Sequence, residues 1–221
     1  MRHRILTFLL CIAVILMCIT VSIGLPIYIR GFYYCQIDRY GLPEATGYDK
    51  ETIKEAYDTV LDYLTLPGRE FGTGVFPYSE EGEAHFRDCK KLFDLNGGVF
   101  LGSAIVILVL WVMVRLRKFR PTRPFGRHFT MTCGVGMVSL FALVAAVAAL
   151  NFDRAFVVFH KLFFPGKENW IFDPAIDGII RILPQDFIMS CGLLIVGSIL
   201  LLSLGLILYA LIKHKKQNDT L

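Results

Sequence analysis

The sequence has little charge and lacks the short motifs of several soluble enzyme classes. Only 19% of its 221 residues are charged and 55% are hydrophobic, whereas soluble domains are about 25% charged and about 45–50% apolar. No G-x-S-x-G, H-E-x-x-H or C-x-x-C sequence occurs. A nucleophile elbow, a zinc-protease helix and paired redox thiols are therefore excluded. The mean hydropathy of +0.55 is instead typical of an integral membrane protein.

The six cysteines do not form a disulfide framework. Only Cys35 and Cys89 lie in polar parts of the chain. A disulfide between those two is chemically permitted, and the sequence alone leaves it open. The other four lie inside apolar runs, where a thiol behaves as a small hydrophobic group: Cys11, Cys18, Cys133 and Cys191.

Four uncharged apolar runs are each long enough to cross a bilayer, whose hydrocarbon core needs about 20 helical residues. The first run far exceeds the roughly 7–15 apolar residues of a signal peptide, so we interpret it as an uncleaved anchor. The predicted fold is an all-α membrane protein with four transmembrane helices. These helices are residues 5–25, 95–114, 129–150 and 187–212.

The distribution of charge predicts how the helices face. Eleven Lys and Arg residues and one acid, Asp219, lie in three segments, while the two longer loops hold 12 basic and 18 acidic residues. Lys and Arg concentrate in cytoplasmic loops, and without interleaved aromatic residues they do not indicate a nucleic-acid partner. The predicted cytoplasmic segments are 1–4, 115–128 and 213–221, and the predicted extracellular loops are 26–94 and 151–186.

Both extracellular loops are predicted to fold into a largely helical cap. Apolar residues recur at helical spacing over Glu51–Leu64, with Asp49 or Thr52 as the N-cap. The acidic cluster after Ser79 favours a second helix that continues into the second span. An aromatic stripe over residues 152–163 predicts a third helix that ends at Phe-Pro-Gly-Lys, and a short amphipathic stretch follows near residues 176–183.

Two of the five histidines are candidates for catalysis. His3, His128 and His214 are neighbours of cytoplasmic Lys or Arg. His85 and His160 lie in different outer loops, each about ten residues from the end of a predicted span, and therefore at a similar axial offset if both segments are helical. Two imidazoles at that depth indicate acid–base chemistry on a reaction that supplies its own nucleophile.

Several stretches of the loops resemble the lipoprotein intramolecular transacylase family of Gram-positive bacteria. They are Ala56–Asp58 with Leu61–Leu64, Ser79–Asp88 with Lys90 and Leu92–Phe93, and His160–Pro174. The resemblance implies a substrate lipoprotein whose N-terminal cysteine carries a diacylglyceryl group and a free α-amine. The sn-2 acyl chain would move to that amine and give the lyso-form lipoprotein. No cofactor is implied, because an amide is more stable than an ester.

The resemblance also implies roles and a location. His85 is expected to act as the general base and His160 to stabilise the oxyanion or protonate the leaving oxygen, and the reverse order stays open. We expect a monomer in a bacterial plasma membrane, in contact with membrane lipid and substrate lipoprotein, with its site at the extracellular interface. The residues expected to support the two rings or contact the substrate are Glu83, Asp88, Asn169, Trp170 and Asp173.

Two other functions remain open from the sequence. One is an outward-facing metal-dependent hydrolase with His85, His160 and a carboxylate as ligands, although the sparse spacing of these residues does not favour a metal. The other is a tetraspan accessory protein without catalytic activity.

Overall fold

The computed structural model describes residues 1–218, which contain eight α-helices, two short 3-10 helices and no strand. The predicted all-α class is therefore confirmed. The end of the predicted cytoplasmic tail, with Asp219, lies outside the described residues. The helices are α1 (Arg2–Tyr28), α2 (Gly31–Tyr34), α3 (Leu42–Thr46), α4 (Lys50–Thr65), α5 (Glu80–Arg115), α6 (Phe129–Leu150), α7 (Phe152–Phe163) and α8 (Gln185–Asn218), and the 3-10 helices are Pro124–Gly126 and Gly178–Ile182.

Four of these helices, α1, α5, α6 and α8, are long and apolar enough to cross a membrane. Each contains one of the four predicted spans. Helix α5 begins at Glu80, well before the apolar run, because the predicted loop helix and the predicted span form one continuous helix. The chain is a multi-pass membrane protein.

The chain folds into two compact units. The transmembrane unit comprises residues 1–23, 97–150 and the chain from Leu194 onward. The loop unit comprises residues 24–96 and 151–193, and so contains most of both predicted outer loops. Helix α5 contributes its first half to the loop unit and its apolar half to the transmembrane unit.

Helix α4 forms the centre of the loop unit. Its N-cap is Asp49, whose carboxylate accepts a hydrogen bond from the Thr52 backbone N–H at 2.8 Å. Its predicted apolar face is buried, with Ile53 and Ala56 at 0% and 1% exposure. Tyr57 on the same face stacks on Tyr33 with ring centroids 3.7 Å apart. The amphipathic pattern therefore identified the buried face of this helix correctly.

Hydrogen bonds from the second outer loop hold the beginning of α5 in place. The buried carboxylate of Asp177 accepts hydrogen bonds from the backbone N–H and the hydroxyl of Ser79, both at 2.8 Å. The Ser79 hydroxyl in turn accepts from the Gly82 N–H at 2.9 Å, which satisfies an amide of the first helical turn. The Gly178 N–H also donates to the carbonyl of Pro77. These contacts fix the first turns of α5, which carry His85.

The transmembrane unit is held by close backbone approaches and a few polar contacts. A Cβ atom on Gly134 of α6 would lie 2.7 Å from the carbonyl oxygen of Ser203 in α8, so only glycine permits this approach. The hydroxyl of Thr7 accepts a hydrogen bond from the Thr122 N–H at 2.9 Å. All six cysteines of the chain are free thiols.

Candidate active site

Helices α5 and α7 place two imidazole rings side by side in the loop unit. His85 lies in the second turn of α5 and His160 in the last turn of α7. Their ring centroids are 5.8 Å apart, and the side chains are only 6% and 7% exposed. The structure therefore brings together the two histidines that the sequence singled out.

Aromatic side chains surround both rings. Phe164 and Phe172 meet the His85 ring edge-on, with centroids 4.9 and 5.5 Å away. Trp170 stacks on His160 at 4.7 Å, and Phe156 lies 4.1 Å from the same ring. Such an apolar enclosure excludes water and strengthens electrostatic interactions within it.

The hydrogen bonds of the rings indicate which nitrogens carry protons. His160 Nδ1 lies 2.8 Å from the carbonyl oxygen of Phe156, which can only accept, so Nδ1 carries the proton and Nε2 keeps a lone pair when the ring is neutral. His85 Nε2 lies 3.4 Å from the thiol sulfur of Cys89. His85 Nδ1 is buried without a hydrogen-bond partner, which is rare for a polar atom in a folded protein.

The pKa of each imidazole is lowered, which favours the neutral form of both rings. Burial lowers the pKa of His85, and a positive charge on His160 would lower it further, to about 4, against the opposing effect of the Asp88 carboxylate. Burial also lowers the pKa of His160, although the hydrogen bond to Phe156 acts in the opposite direction. A neutral imidazole can accept a proton at one nitrogen and donate at the other, as acid–base catalysis requires.

Asp88 joins α5 to the segment that follows α7. Its buried carboxylate pairs with the ammonium groups of Lys167 and of Lys91 on its own helix, and accepts from the Asn169 amide at 3.5 Å. Burial alone would raise the pKa of Asp88, but these hydrogen bonds lower it to about 2. The Trp170 indole N–H then donates to the Lys167 carbonyl at 3.0 Å. Asp88 therefore supports the position of the ring that stacks on His160.

The expected supporting residues separate into two groups. Asp88, Asn169 and Trp170 lie next to the rings or hold the segment that contacts them. Glu83 instead pairs with Arg87 at 2.8 Å, one turn along α5. Asp173 accepts a hydrogen bond from the Ala175 N–H at 2.9 Å and so stabilises a turn. His160 donates the hydrogen bond that orients its ring to the backbone carbonyl of Phe156 rather than to a carboxylate.

Some residues of the site were not singled out from the sequence. The aromatic stripe included Phe156, but nothing in its spacing identified its carbonyl as the partner of an imidazole four residues later. Phe164 and Lys167 belong to the segment predicted as a helix break, and Phe172 to the stretch after it. The sequence shows that such a segment ends a helix. Which residues the segment then contacts depends on how the chain folds after the helix.

Within residues 1–218, no group of three His, Cys, Asp or Glu side chains is arranged to hold a metal ion.

A family model and several solved structures are similar to this chain. The family model described as lipoprotein intramolecular transacylase Lit matches residues 8–188. The fold is similar to a solved structure of the lipoprotein intramolecular transacylase Lit from Bacillus cereus, with 23% identity and a TM-score of 0.84 over 98% of this chain and 96% of that chain. Two structures of the Bacillus cereus protein with H85R and H85A mutations match at 24% identity and a TM-score of 0.76, over 96% of this chain and 93% and 94% of theirs. A comparison with curated protein sequences gives no match.

Proposed function

The chain belongs to the lipoprotein intramolecular transacylase family and is therefore an acyltransferase, and on that premise we propose the reaction and the roles of its residues. The substrate is a membrane lipoprotein whose N-terminal cysteine carries a diacylglyceryl group. The enzyme moves the sn-2 acyl chain to the α-amine of that cysteine. The single observation that carries the mechanism is the pair of buried imidazoles with centroids 5.8 Å apart.

The reaction is an ester aminolysis within one molecule. The amine nitrogen attacks the ester carbonyl carbon, a tetrahedral intermediate forms, and the bond from that carbon to the sn-2 oxygen breaks. The amine loses a proton and the departing oxygen gains one, so the products are an amide and a free hydroxyl group. An α-amine has a pKa of about 8, so a useful fraction is already neutral near pH 7. No cofactor or external donor enters this balance.

His160 is the better candidate for the base. Its Nδ1–H is held by the Phe156 carbonyl, and the lone pair on Nε2 is free to accept the proton of the attacking amine. The carbonyl also offsets part of the effect of burial on its pKa. A base whose pKa lies closer to the operating pH transfers protons more effectively.

His85 is the better candidate for stabilising the oxyanion and protonating the leaving oxygen. Burial raises the pKa of Cys89 to about 12, so its thiol stays protonated and can donate to His85 Nε2. His85 Nδ1 then carries the proton, and it is the buried atom without a partner. A substrate oxygen would satisfy it. This order is the reverse of the first assignment from the sequence, in which His85 was the base.

The expected contributions to the reaction rate are large enough for this chemistry. General acid–base catalysis contributes about 10²–10⁴ in rate. Holding the amine against the ester contributes an effective molarity on the order of 10⁵–10⁸ M. A histidine numbered 85 is replaced by Arg or Ala in two solved structures of the Bacillus cereus relative.

The distribution of charge along the chain supports the orientation that we propose. The acidic loop unit faces outward and the basic segments face the cytoplasm of a Gram-positive bacterium. A lipoprotein anchored in the outer leaflet then reaches the rings from the membrane. The partners are the lipoprotein and membrane lipid, with no nucleic acid, and the enzyme works as a monomer.

The decisive experiment expresses the chain in a host that makes only diacylglyceryl lipoproteins with a free α-amine. Mass spectrometry of N-terminal lipopeptides then locates each acyl chain. The wild type should give N-acyl lyso-form peptides, and His85→Asn and His160→Asn should leave the O-diacyl form almost unchanged. His3→Asn, a matched change in the transmembrane unit, should retain activity. O-diacyl peptides with a free amine in the wild-type strain would contradict the reaction, and substantial turnover in both active-site variants would contradict the roles.

A further inference from the structure

The segment that follows α7 carries an amide side chain with one paired and one unpaired end. The Nδ2 atom of Asn169 donates a hydrogen bond to the Asp88 carboxylate at 3.5 Å. The Oδ1 atom of the same amide is buried and, within residues 1–218, has no hydrogen-bond partner. A buried acceptor that lacks a donor costs free energy, so such an atom in a folded protein calls for an explanation.

The contact with Asp88 determines which end of the amide is unpaired. Burial would raise the pKa of the Asp88 carboxyl, but its hydrogen bonds, above all the one from Lys167, lower this pKa to about 2. Asp88 is therefore ionised and can only accept hydrogen bonds. The NH₂ group of Asn169 must face it, and the carbonyl oxygen is the end that remains. That oxygen needs an N–H or O–H donor.

The neighbours of Asn169 place it beside both catalytic candidates. Its partner Asp88 lies three residues after His85, on the same turn of α5. The residue that follows it, Trp170, stacks on His160 with ring centroids 4.7 Å apart. Asn169 is thus linked on one side to a neighbour of His85 and on the other side to a neighbour of His160.

The proposed reaction brings a suitable donor to this site. The attacking α-amine has two N–H groups when it is neutral and three when it is protonated. During acyl transfer the base removes one of the two protons of the attacking nitrogen, and the other stays as the N–H of the product amide. An acceptor beside the base can hold this retained N–H from the substrate to the product. The lone pair of the nitrogen is then kept towards the ester carbonyl carbon, as efficient attack requires.

We propose that Asn169 binds the α-amine of the lipoprotein substrate through Oδ1 and so recognises and orients the attacking nitrogen. Oδ1 accepts the N–H that stays on the nitrogen, and His160 Nε2 accepts the proton that leaves. This inference rests on the proposed function and adds to it the group that distinguishes a free amine from other N-terminal groups.

The test measures the binding of two lipopeptides that cannot react, because an ether replaces the sn-2 ester in both. One has the free α-amine, and in the other a hydrogen atom replaces the amine. Native mass spectrometry of the purified full-length protein in detergent compares their affinities. Asn169→Leu removes the acceptor at similar side-chain size. Glu168→Gln, at the adjacent exposed carboxylate, is the control for a general attraction of the ammonium group.

The wild type and Glu168→Gln should bind the amine lipopeptide about tenfold or more tightly than the one without the amine, and Asn169→Leu should lose most of this preference. A side chain that only supports Asp88 would instead weaken the binding of both lipopeptides by the same factor, and that result would overturn the proposal. An equal loss of preference in Glu168→Gln would overturn it as well. If Asn169→Leu does not fold, Asn169→Ala takes its place.

Failure of this inference can be told apart from failure of the proposed function. If the reaction itself is wrong, wild-type cells make no lyso-form lipopeptides. If only the role of Asn169 is wrong, wild-type cells make them, while the preference for the amine lipopeptide is the same in the wild type and in Asn169→Leu.

Discussion

Trp170 stacks on the imidazole of His160, with ring centroids 4.7 Å apart and planes inclined by 30°. The contact fixes the plane of a ring whose Nδ1 is already held by the Phe156 carbonyl. The imidazole that we propose as the base is thus oriented by an aromatic face and a backbone group. The effect of this stacking on turnover can be measured separately from the chemistry of the imidazole itself.

Replacing this tryptophan should lower turnover without abolishing it. Stacked aromatic pairs contribute about 0.5–1.5 kcal/mol, so Trp170→Ala should reduce kcat roughly two- to tenfold, and Trp170→Phe by less. The matched control is Trp111→Ala, at the only other tryptophan of the chain, which is 55% exposed. Initial rates of lyso-form production measure both. A Trp170→Ala enzyme as active as the wild type would show that the stacking has no role.

The Asp88 ion pairs should contribute to stability more than an exposed pair on the same helix. Asp88→Asn keeps the size of the side chain but weakens its hydrogen bonds to Lys167 and Lys91. Bonds to charged groups contribute about 1.5–3 kcal/mol, so thermal unfolding in detergent should occur several degrees lower. Glu83→Gln removes a more exposed pair on α5 and should change the Tm little.

The coupling between Asp88 and Lys167 can be isolated with a double-mutant cycle. If the pair acts together, Asp88→Asn in a Lys167→Met background should cost less than in the wild type. Additive effects would mean that Asp88 acts through other contacts.

Acid should destabilise the protein through His85. Its folded pKa of about 4 lies below the ordinary value of 6.5, so the unfolded chain binds the extra proton first as pH falls. The free energy of unfolding should therefore decrease from about pH 6.5 down to about pH 4, by about 2–3 kcal/mol at pH 4.5. Thermal unfolding across this range measures it. His85→Asn should flatten the curve in this window, and an unchanged slope would contradict the lowered pKa.

The beginning of α5 should not tolerate a side chain at position 82. A Cβ atom on Gly82 would lie 2.4 Å from the Asp177 carboxylate oxygen that binds Ser79. Gly82→Ala should therefore displace Asp177 and destabilise the protein by about 1–3 kcal/mol. Gly97→Ala on the same helix meets no atom within 4 Å and is the control. If displacement of Asp177 is the cause, adding Asp177→Ala to Gly82→Ala should cost little more, and a fully additive result would refute that cause.

The proposed orientation can be tested with Cys35. It is an exposed free thiol in the loop unit, before α3. In intact cells a membrane-impermeant maleimide should label it, and Cys35→Ser should abolish that labelling. Labelling that requires membrane permeabilisation would place the loop unit on the cytoplasmic side and contradict the proposed topology.

Much of the fold could be read from periodicity and charge. The apolar runs are long enough that only membrane-spanning helices satisfy their backbone hydrogen bonds in lipid. The apolar face of α4 followed from its 3.6-residue spacing, because a helix buries whichever stripe is apolar. The break after Phe163 followed from Pro165 and Gly166, which end a helix for local reasons.

The site was predictable only in part. His85 and His160 stood out because polar imidazoles at matching distances from apolar spans are uncommon. The contacts of Asp88 with Lys167 and Asn169 could not be predicted, because they join residues about 80 positions apart in the sequence. Asp177, 98 positions from Ser79, was missed for the same reason.

The amino-acid order alone determined that this chain crosses a membrane four times and carries two histidines near the ends of its spans, because hydrophobic length and local periodicity are properties of contiguous residues. Only the tertiary structure decided that the two rings meet, which nitrogen of His160 carries a proton and which carboxylate holds the adjoining segment. Those outcomes depend on packing between α5 and α7. The burial of the two rings comes from residues that are distant in the chain. The Phe156 carbonyl and the Cys89 thiol each lie one helical turn from the ring that they contact.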